Sequence, residues 1–242
     1  MHQTNCATPI VDHEELDSTN SQAKRLVEGG RGGRFVVSAA RQTAGRGRFR
    51  RAWHAPANNV AMTIAVPREA GWRDFQTLSL MTGLAIHDVL SGLIGERAAV
   101  RIKWPNDIVV DDAKISGTLI ESDAQRIYAG IGINLAAEPE GVIYPTTSLA
   151  RFCAVGRLAL IGMVADSWLA RFDRWTRDGF APIAAAYTER IWRRTSTIGI
   201  ALDEARTQRV EGVCLGVDPA GLLRIELPDG EVRVFSAGDV GA

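Results

Sequence analysis

The sequence predicts an α+β fold: a mixed or antiparallel sheet with helices, followed by a small all-β unit. Three observations predict it. Strand-like runs and long helical stripes alternate as far as Arg194. About fifty residues of short strands and turns follow, with no helical period. The length, 242 residues, suits one large domain with an appendage. The expected division is residues 1–194 and 195–242.

Residues 10–17 read as a strand, and Ser18-Thr19-Asn20 then caps a helix that ends near Glu28 before paired glycines. Residues 35–39 read as a strand. In residues 59–66, Val60, Met62, Ile64 and Val66 share one face. Leu80, Leu84, His87 and Leu90 have helical spacing within 78–93. Short strands are expected at 99–104, 107–110, 115–122 and 126–135, with a hairpin turn at Asp111-Asp112. Leu158, Ile161, Ala165, Trp168, Leu169, Phe172 and Trp175 form a helical core stripe, and a further helix covers 181–192. Strands at 197–202, 207–217, 221–227 and 231–236 are separated by Asp218-Pro219-Ala220-Gly221 and Pro228-Asp229-Gly230, where Pro presets φ and Gly supplies positive φ.

Composition narrows the function. The formal net charge is zero, so a whole-surface attraction to nucleic acid or acidic lipid is not expected. No stretch approaches the roughly 20 apolar residues of a membrane span, and the polar N-terminus is unlike a signal peptide. Cys6, Cys153 and Cys214 show neither metal spacing nor a disulfide framework, which points to a reducing cytoplasm. The chain has 25 arginines and only three lysines: Lys24, Lys103 and Lys114. A lysine here tends to mark a place that needs a compact ammonium.

The basic character is local. Residues 41–53 hold five arginines, two glycines and two aromatics, with no acid. Arg46, Arg48 and Arg51 supply forks for carboxylate or phosphate oxygens. Gly45 and Gly47 let the backbone approach a ligand, and Trp53 offers a flat face. The segment reads as a clamp that orders on an anion; a solvated basic loop is the competing reading. Lys103-Trp104-Pro105-Asn106-Asp107 gathers a cation, an amide and a carboxylate around a proline. Lys114 starts a strand that contains Gly117. Gly130-Ile131-Gly132-Ile133-Asn134 lacks the third glycine of a dinucleotide fingerprint, and there is no P-loop. Gly130 and Gly132 mark a strand that something approaches closely.

Together, in this order, Asp17-Ser18-Thr19-Asn20, Gly45-Arg46-Gly47-Arg48 with Arg51 and Trp53, Lys103–Asp107, Lys114–Gly117 and Gly132–Asn134 resemble the biotin protein ligase family. The resemblance implies a class II synthetase-like catalytic domain and an SH3-like C-terminal barrel. It implies the short form, without an N-terminal DNA-binding domain. It implies that ATP activates biotin to biotinyl-5′-AMP, with Mg²⁺, and that the biotin passes to a lysine of a biotin carboxyl carrier protein, the carrier subunit of acetyl-CoA carboxylase. A homodimer through sheet edges is open; DNA and membrane partners are not expected.

By the same resemblance, Lys114, Arg46, Arg48 and Asp107 carry the chemistry. Biotin falls to Ser18, Thr19, Asn20, Gln42, Gly45, Arg46, Gly47, Arg48, Lys114 and Gly117. ATP falls to Arg48, Arg51, Trp53, Lys103, Asn106 and Asn134. The metal ligands are open, and Asp107 is either a metal ligand or a base. Arg50 replaces a family glycine in the loop; if that position needs positive φ, a non-glycine residue is strained there. Lipoate–protein ligase is the nearest rival. An RNA-binding module is a rival of another class, disfavoured by the single short basic patch.

Overall fold

A computed structural model describes residues 8–53, 55–69, 75–142, 144–203 and 207–241. Cys6 lies outside them. The first sheet has seven strands: β1 (Ile10–Leu16), β2 (Phe35–Gln42), β3 (Val60–Pro67), β4 (Val100–Lys103), β5 (Asp107–Val110), β6 (Ala113–Ser122) and β7 (Arg126–Ile133). Their order is β1-β2-β3-β7-β6-β5-β4. Every pair is antiparallel except β1 with β2. That parallel pair follows from α1 (Thr19–Glu28), which crosses between the two strands.

Both faces of the sheet are covered. Val60, Met62, Ile64 and Val66 belong to the main core with α2 (Leu78–Ile94) and α3 (Arg157–Asp178). Ala65, Phe35, Val37 and Tyr128 pack with Ala23 of α1 in a smaller cluster. The alternation read in residues 59–66 is therefore a division between two cores. Among the described residues one helical segment, Phe75–Arg97, is long and apolar enough to cross a membrane; its most apolar 18-residue window has mean hydropathy 1.4 and is 61% buried inside the protein. Its polar groups are paired: Trp168 Nε1 donates to Thr82 Oγ1 and Trp175 Nε1 to Thr77 Oγ1, both at 2.8 Å.

The second sheet contains β8 (Thr197–Ala201), β9 (Arg209–Val217), β10 (Leu223–Glu226), β11 (Val232–Phe235) and β12 (Asp239–Gly241), in the order β11-β10-β9-β8-β12. It packs on the first sheet through the β4–β5 turn and α4 (Ala184–Arg190). Trp104 Nε1 donates to the Gly221 carbonyl, and the Val217 amide donates to Thr188 Oγ1 at 3.0 Å. The Trp104–Pro105 peptide is cis.

Three expectations need correction. The helix expected over 181–192 is a 3-10 turn at Ala181–Ile183 and then α4. Ile191 and Trp192 leave the helix because β4 is an edge strand: Ile191 bridges to Ile102, and the Trp192 amide donates to the Ile102 carbonyl at 2.8 Å. Ser18 stands at the N-cap of α1 with extended φ, but its side chain makes no capping bond. Positive φ in the arginine loop falls on Phe49 (φ 54), one residue before Arg50, which stays helical.

Candidate active site

A cavity of about 940 Å³ lies between the first sheet, the arginine loop and the second sheet. One end is neutral. Ser18, Thr19 and Asn20 enter it from the start of α1, and Gln42 from the end of β2. A hydrogen-bond network sets their rotamers. The Thr19 amide donates to Gln42 Oε1 at 2.8 Å, and Thr63 Oγ1 lies 2.8 Å from Thr19 Oγ1 and 2.6 Å from Asn20 Oδ1. Gly130 makes room for this cluster, since a Cβ there would lie 2.7 Å from Asn20 Oδ1.

Lys114 and Asp107 occupy the centre. The hairpin between β5 and β6 turns on Asp111 and Asp112, both with positive φ (47 and 68), as a two-residue type I′ turn requires. Its register slips between Ile108 and Val109. The bulge changes the parity of β6, so Lys114 and Gly117 face the same side although they are three apart. A Cβ on Gly117 would lie 3.3 Å from Lys114 Cε. Lys114 Nζ pairs with Asp107 Oδ2 at 2.8 Å and sits between the rings of Trp53 (5.6 Å) and Tyr144 (5.5 Å).

The arginine loop folds over this centre as a tight hairpin. The Trp53 amide donates to the Gly45 carbonyl (2.9 Å), and the Gly47 amide to the Arg51 carbonyl (2.8 Å). Trp53 then lies on Gly132, where a Cβ would come within 2.3 Å of its Cε2. The close approach expected at Gly132 is therefore made by the chain's own tryptophan. Gly45 likewise meets Trp53: a Cβ there would be 2.6 Å from the Trp53 carbonyl oxygen. Trp53 Nε1 and Asp107 Oδ1 are buried and have no hydrogen-bond partner among the described residues. One donor and one acceptor are thus available to a ligand.

Arg46 and Arg51 already have counter-charges inside the protein. Arg46 donates to Ser21 Oγ (2.9 Å) and pairs with Glu121 (3.2 Å), which also binds Lys24 at 2.7 Å. Burial pushes the Glu121 carboxyl up, but Lys24 and then Arg46 outweigh it and hold the pKa below the usual range. Arg48 donates to Asn106 Oδ1 at 3.0 Å; burial lowers its pKa despite Asp107 and Asp239 nearby. Arg51 reaches Asp239 of β12 at 3.0 Å. The acids that face Arg46 and Arg51, Glu121 and Asp239, lie far away in sequence.

The other end of the cavity is a seam between the two sheets, lined by Lys103, Trp192, Arg193, Asp112 and Arg209. Of the residues read from sequence, Ser18, Thr19, Asn20, Gln42, Arg46, Gly47, Arg48, Arg51, Trp53, Lys103, Asn106, Asp107, Lys114 and Gly117 line the cavity. Gly45 and Asn134 do not. Asn134 is buried behind the wall, its Nδ2 donating to the Thr147 carbonyl at 3.1 Å, so it fixes the exit of β7. Sequence reasoning missed Glu121, although it lies on the same strand as Lys114 and Gly117. It also missed Tyr144, Trp192, Arg193 and Asp239, for which no sequence signal stands out.

A neutral hydrogen-bonding end, a central lysine and a cationic end can together hold an uncharged head group, a carboxylate and a polyphosphate. Residues 14–137 match the model of the biotin/lipoate A/B protein ligase family, and residues 200–240 that of the biotin protein ligase C-terminal domain. The biotin–[acetyl-CoA-carboxylase] ligase of Paracoccus denitrificans is 34% identical over 93% of this chain and 96% of its own length. Among solved structures, a biotin protein ligase from Aquifex aeolicus in complex with biotin and ATP superposes with TM-score 0.82 at 22% identity, covering 96% of this chain and 97% of that one. A Leishmania major biotin protein ligase in complex with biotinyl-5-AMP gives TM-score 0.69 at 27% identity over 96% and 100%. This chain belongs to the biotin/lipoate A/B protein ligase family.

Proposed function

We infer that the chain activates biotin with ATP to biotinyl-5′-AMP and transfers the biotin to a lysine of a biotin carboxyl carrier protein. The observation that carries this is the polarity of one continuous cavity, neutral at one end and cationic at the other, with Lys114 between them. Ser18, Thr19, Asn20 and Gln42 match a ureido ring, which needs neutral donors and acceptors. A lipoyl dithiolane has no use for them.

In the first step a biotin carboxylate oxygen bonds to the α-phosphorus, and the bond from that phosphorus to the β-bridging oxygen breaks. Pyrophosphate leaves with the electron pair. Lys114 follows the charge from the carboxylate to the α-phosphate, and Arg46 and Arg48 cover the flanking oxygens. Trp53, Lys103, Asn106 and Arg51 border the nucleotide. In the second step the acceptor lysine's nitrogen attacks the acyl carbon and AMP leaves. Asp107 Oδ1 receives the amine's proton. The reacting nucleophiles belong to the substrates, so positioning and charge neutralisation are the enzyme's contribution.

Mg²⁺ enters as part of the MgATP substrate. Among the described residues no three His, Cys, Asp or Glu side chains group as metal ligands. A triphosphate-held ion that keeps waters suits such a cavity. The carrier subunit of acetyl-CoA carboxylase is the acceptor that the Paracoccus relative's name supports. The reducing cytoplasm suits the free thiols of Cys153 and Cys214.

The test is biotin-dependent ATP–pyrophosphate exchange with lipoate as the control. Exchange with biotin alone is the expected result. Exchange with lipoate alone transfers the chain to the lipoate branch of the family.

A further inference from the structure

We propose that Arg193, in the segment joining the two sheets, binds the leaving pyrophosphate. This rests on the ligase reading above. The neutral end of the cavity takes the ureido ring and Lys114 holds the reacting carboxylate. The polyphosphate then extends away from Ser18 and Gln42, toward the seam.

Three structural features put Arg193 there. First, Trp192 and Arg193 leave α4 and follow the edge of β4, with the Trp192 amide 2.8 Å from the Ile102 carbonyl. This sets the indole beside Lys103. Lys103 Nζ is 5.3 Å from the ring centroid and the Arg193 guanidinium 4.6 Å, so one indole carries two cations. Second, Lys103 is the cross-strand partner of Asp107, which pairs with Lys114. Lys114 and Lys103 therefore flank the Asp107 carboxylate, and the Trp192 ring links Lys103 to Arg193, so three cations line the path from the centre of the cavity to the seam. Third, Arg193 has φ of 54, a left-handed conformation unusual for a side chain of its size. Strain of this kind persists where the surroundings over-determine it, and it concentrates at ligand sites.

Asp112 holds this arrangement in place. It accepts from Trp192 Nε1 at 2.5 Å and from Arg193 Nη2 at 3.2 Å. Arg193 remains about a third exposed and lines the cavity, so its other donors can reach phosphate oxygens. Pyrophosphate gains charge as the bridging bond breaks. A planar fork at the exit stabilises it as it departs.

The experiment compares wild type with Arg193→Asn, since asparagine tolerates left-handed φ while it removes the guanidinium. The pyrophosphate dependence of biotin-driven exchange is measured, together with transfer of biotin to carrier protein from pre-formed biotinyl-5′-AMP. The expected result is a KM for pyrophosphate raised roughly tenfold to a hundredfold. The KM for biotin and the transfer rate from pre-formed adenylate stay unchanged. Arg193→Lys falls between the two. An unchanged KM for pyrophosphate overturns the proposal, and so does a parallel loss in all three quantities, which marks a structural role. No biotin-dependent exchange in wild type overturns the ligase reading itself, and this proposal with it.

Discussion

Lys114 Nζ lies 2.8 Å from Asp107 Oδ2, and both side chains are less than a fifth exposed. The pair lies between the two ends of the cavity and holds the lysine to which we assign both the carboxylate and the phosphate. Replacing Lys114 by Ala removes that cation and leaves Asp107 unpaired. Biotin-dependent exchange is expected to fall by roughly 10²–10³. Lys114→Arg is not expected to restore it, because a planar fork does not fit the gap between Trp53 and Tyr144.

Arg51 and Asp239 tie the arginine loop to the last strand of the second sheet at 3.0 Å. Arg51→Ala and Asp239→Ala are each expected to raise the KM for ATP by a few-fold. The double variant should be no worse than the poorer single one. The pair is partly exposed, so a double-mutant cycle should give a coupling below about 1 kcal/mol. High salt should diminish it. Strict additivity in the cycle would show that the two side chains act separately.

Gly132 is the floor on which Trp53 rests. A Cβ added there would stand only 2.3 Å from the indole, so Gly132→Ala must displace the ring. Exchange is expected to drop about tenfold or more, while the thermal midpoint changes little. We propose that the loop shields the adenylate from water, so that Gly132→Ala and Arg46→Ala should both release free biotinyl-5′-AMP. Retention of the adenylate equal to wild type would remove the shielding role of the loop.

Phe49, rather than Arg50, carries the left-handed backbone of the loop. Phe49→Val puts a β-branched residue where it costs about 1–2 kcal/mol, and it is expected to weaken ATP binding. Phe49→Asn should not. Arg50→Gly brings no gain, since its backbone is already helical. ATP titrations of the three variants check this; improvement by Arg50→Gly would relocate the strain.

Asp17 has its pKa lowered from 3.8 to about 2, first by the hydrogen bonds from Arg25. A depressed carboxylate contributes stability above its ordinary pKa and loses it as pH falls through the folded value. The contribution of this exposed pair, below about 1 kcal/mol, should therefore fade between about pH 4 and pH 2. Asp17→Asn should flatten that part of the stability profile, as denaturant midpoints against pH would show. An unchanged slope would mean that the Asp17 carboxyl titrates alike in the folded and unfolded chains.

The elements and most of the chemistry are legible in the local sequence. Periodicity marks β3, α2 and α3 because burial on one face or two leaves a repeat that any window can detect. Ser18–Asn20, Arg46–Trp53, Lys103–Asp107 and Lys114–Gly117 stand out because their residue types are costly to gather without a ligand. How these groups meet depends on the folded chain. The bulge in β6 that turns Lys114 and Gly117 to one side requires pairing with β5. Glu121 and Asp239 neutralise the loop across 75 and 188 residues of chain. Asn134, so close to Gly132 in sequence, is turned behind the wall by its bond to the Thr147 carbonyl. Trp192 and Arg193 leave their helix because β4 has an open edge to satisfy. Each is a contact between segments distant in the chain, and no local pattern records which distant group will arrive.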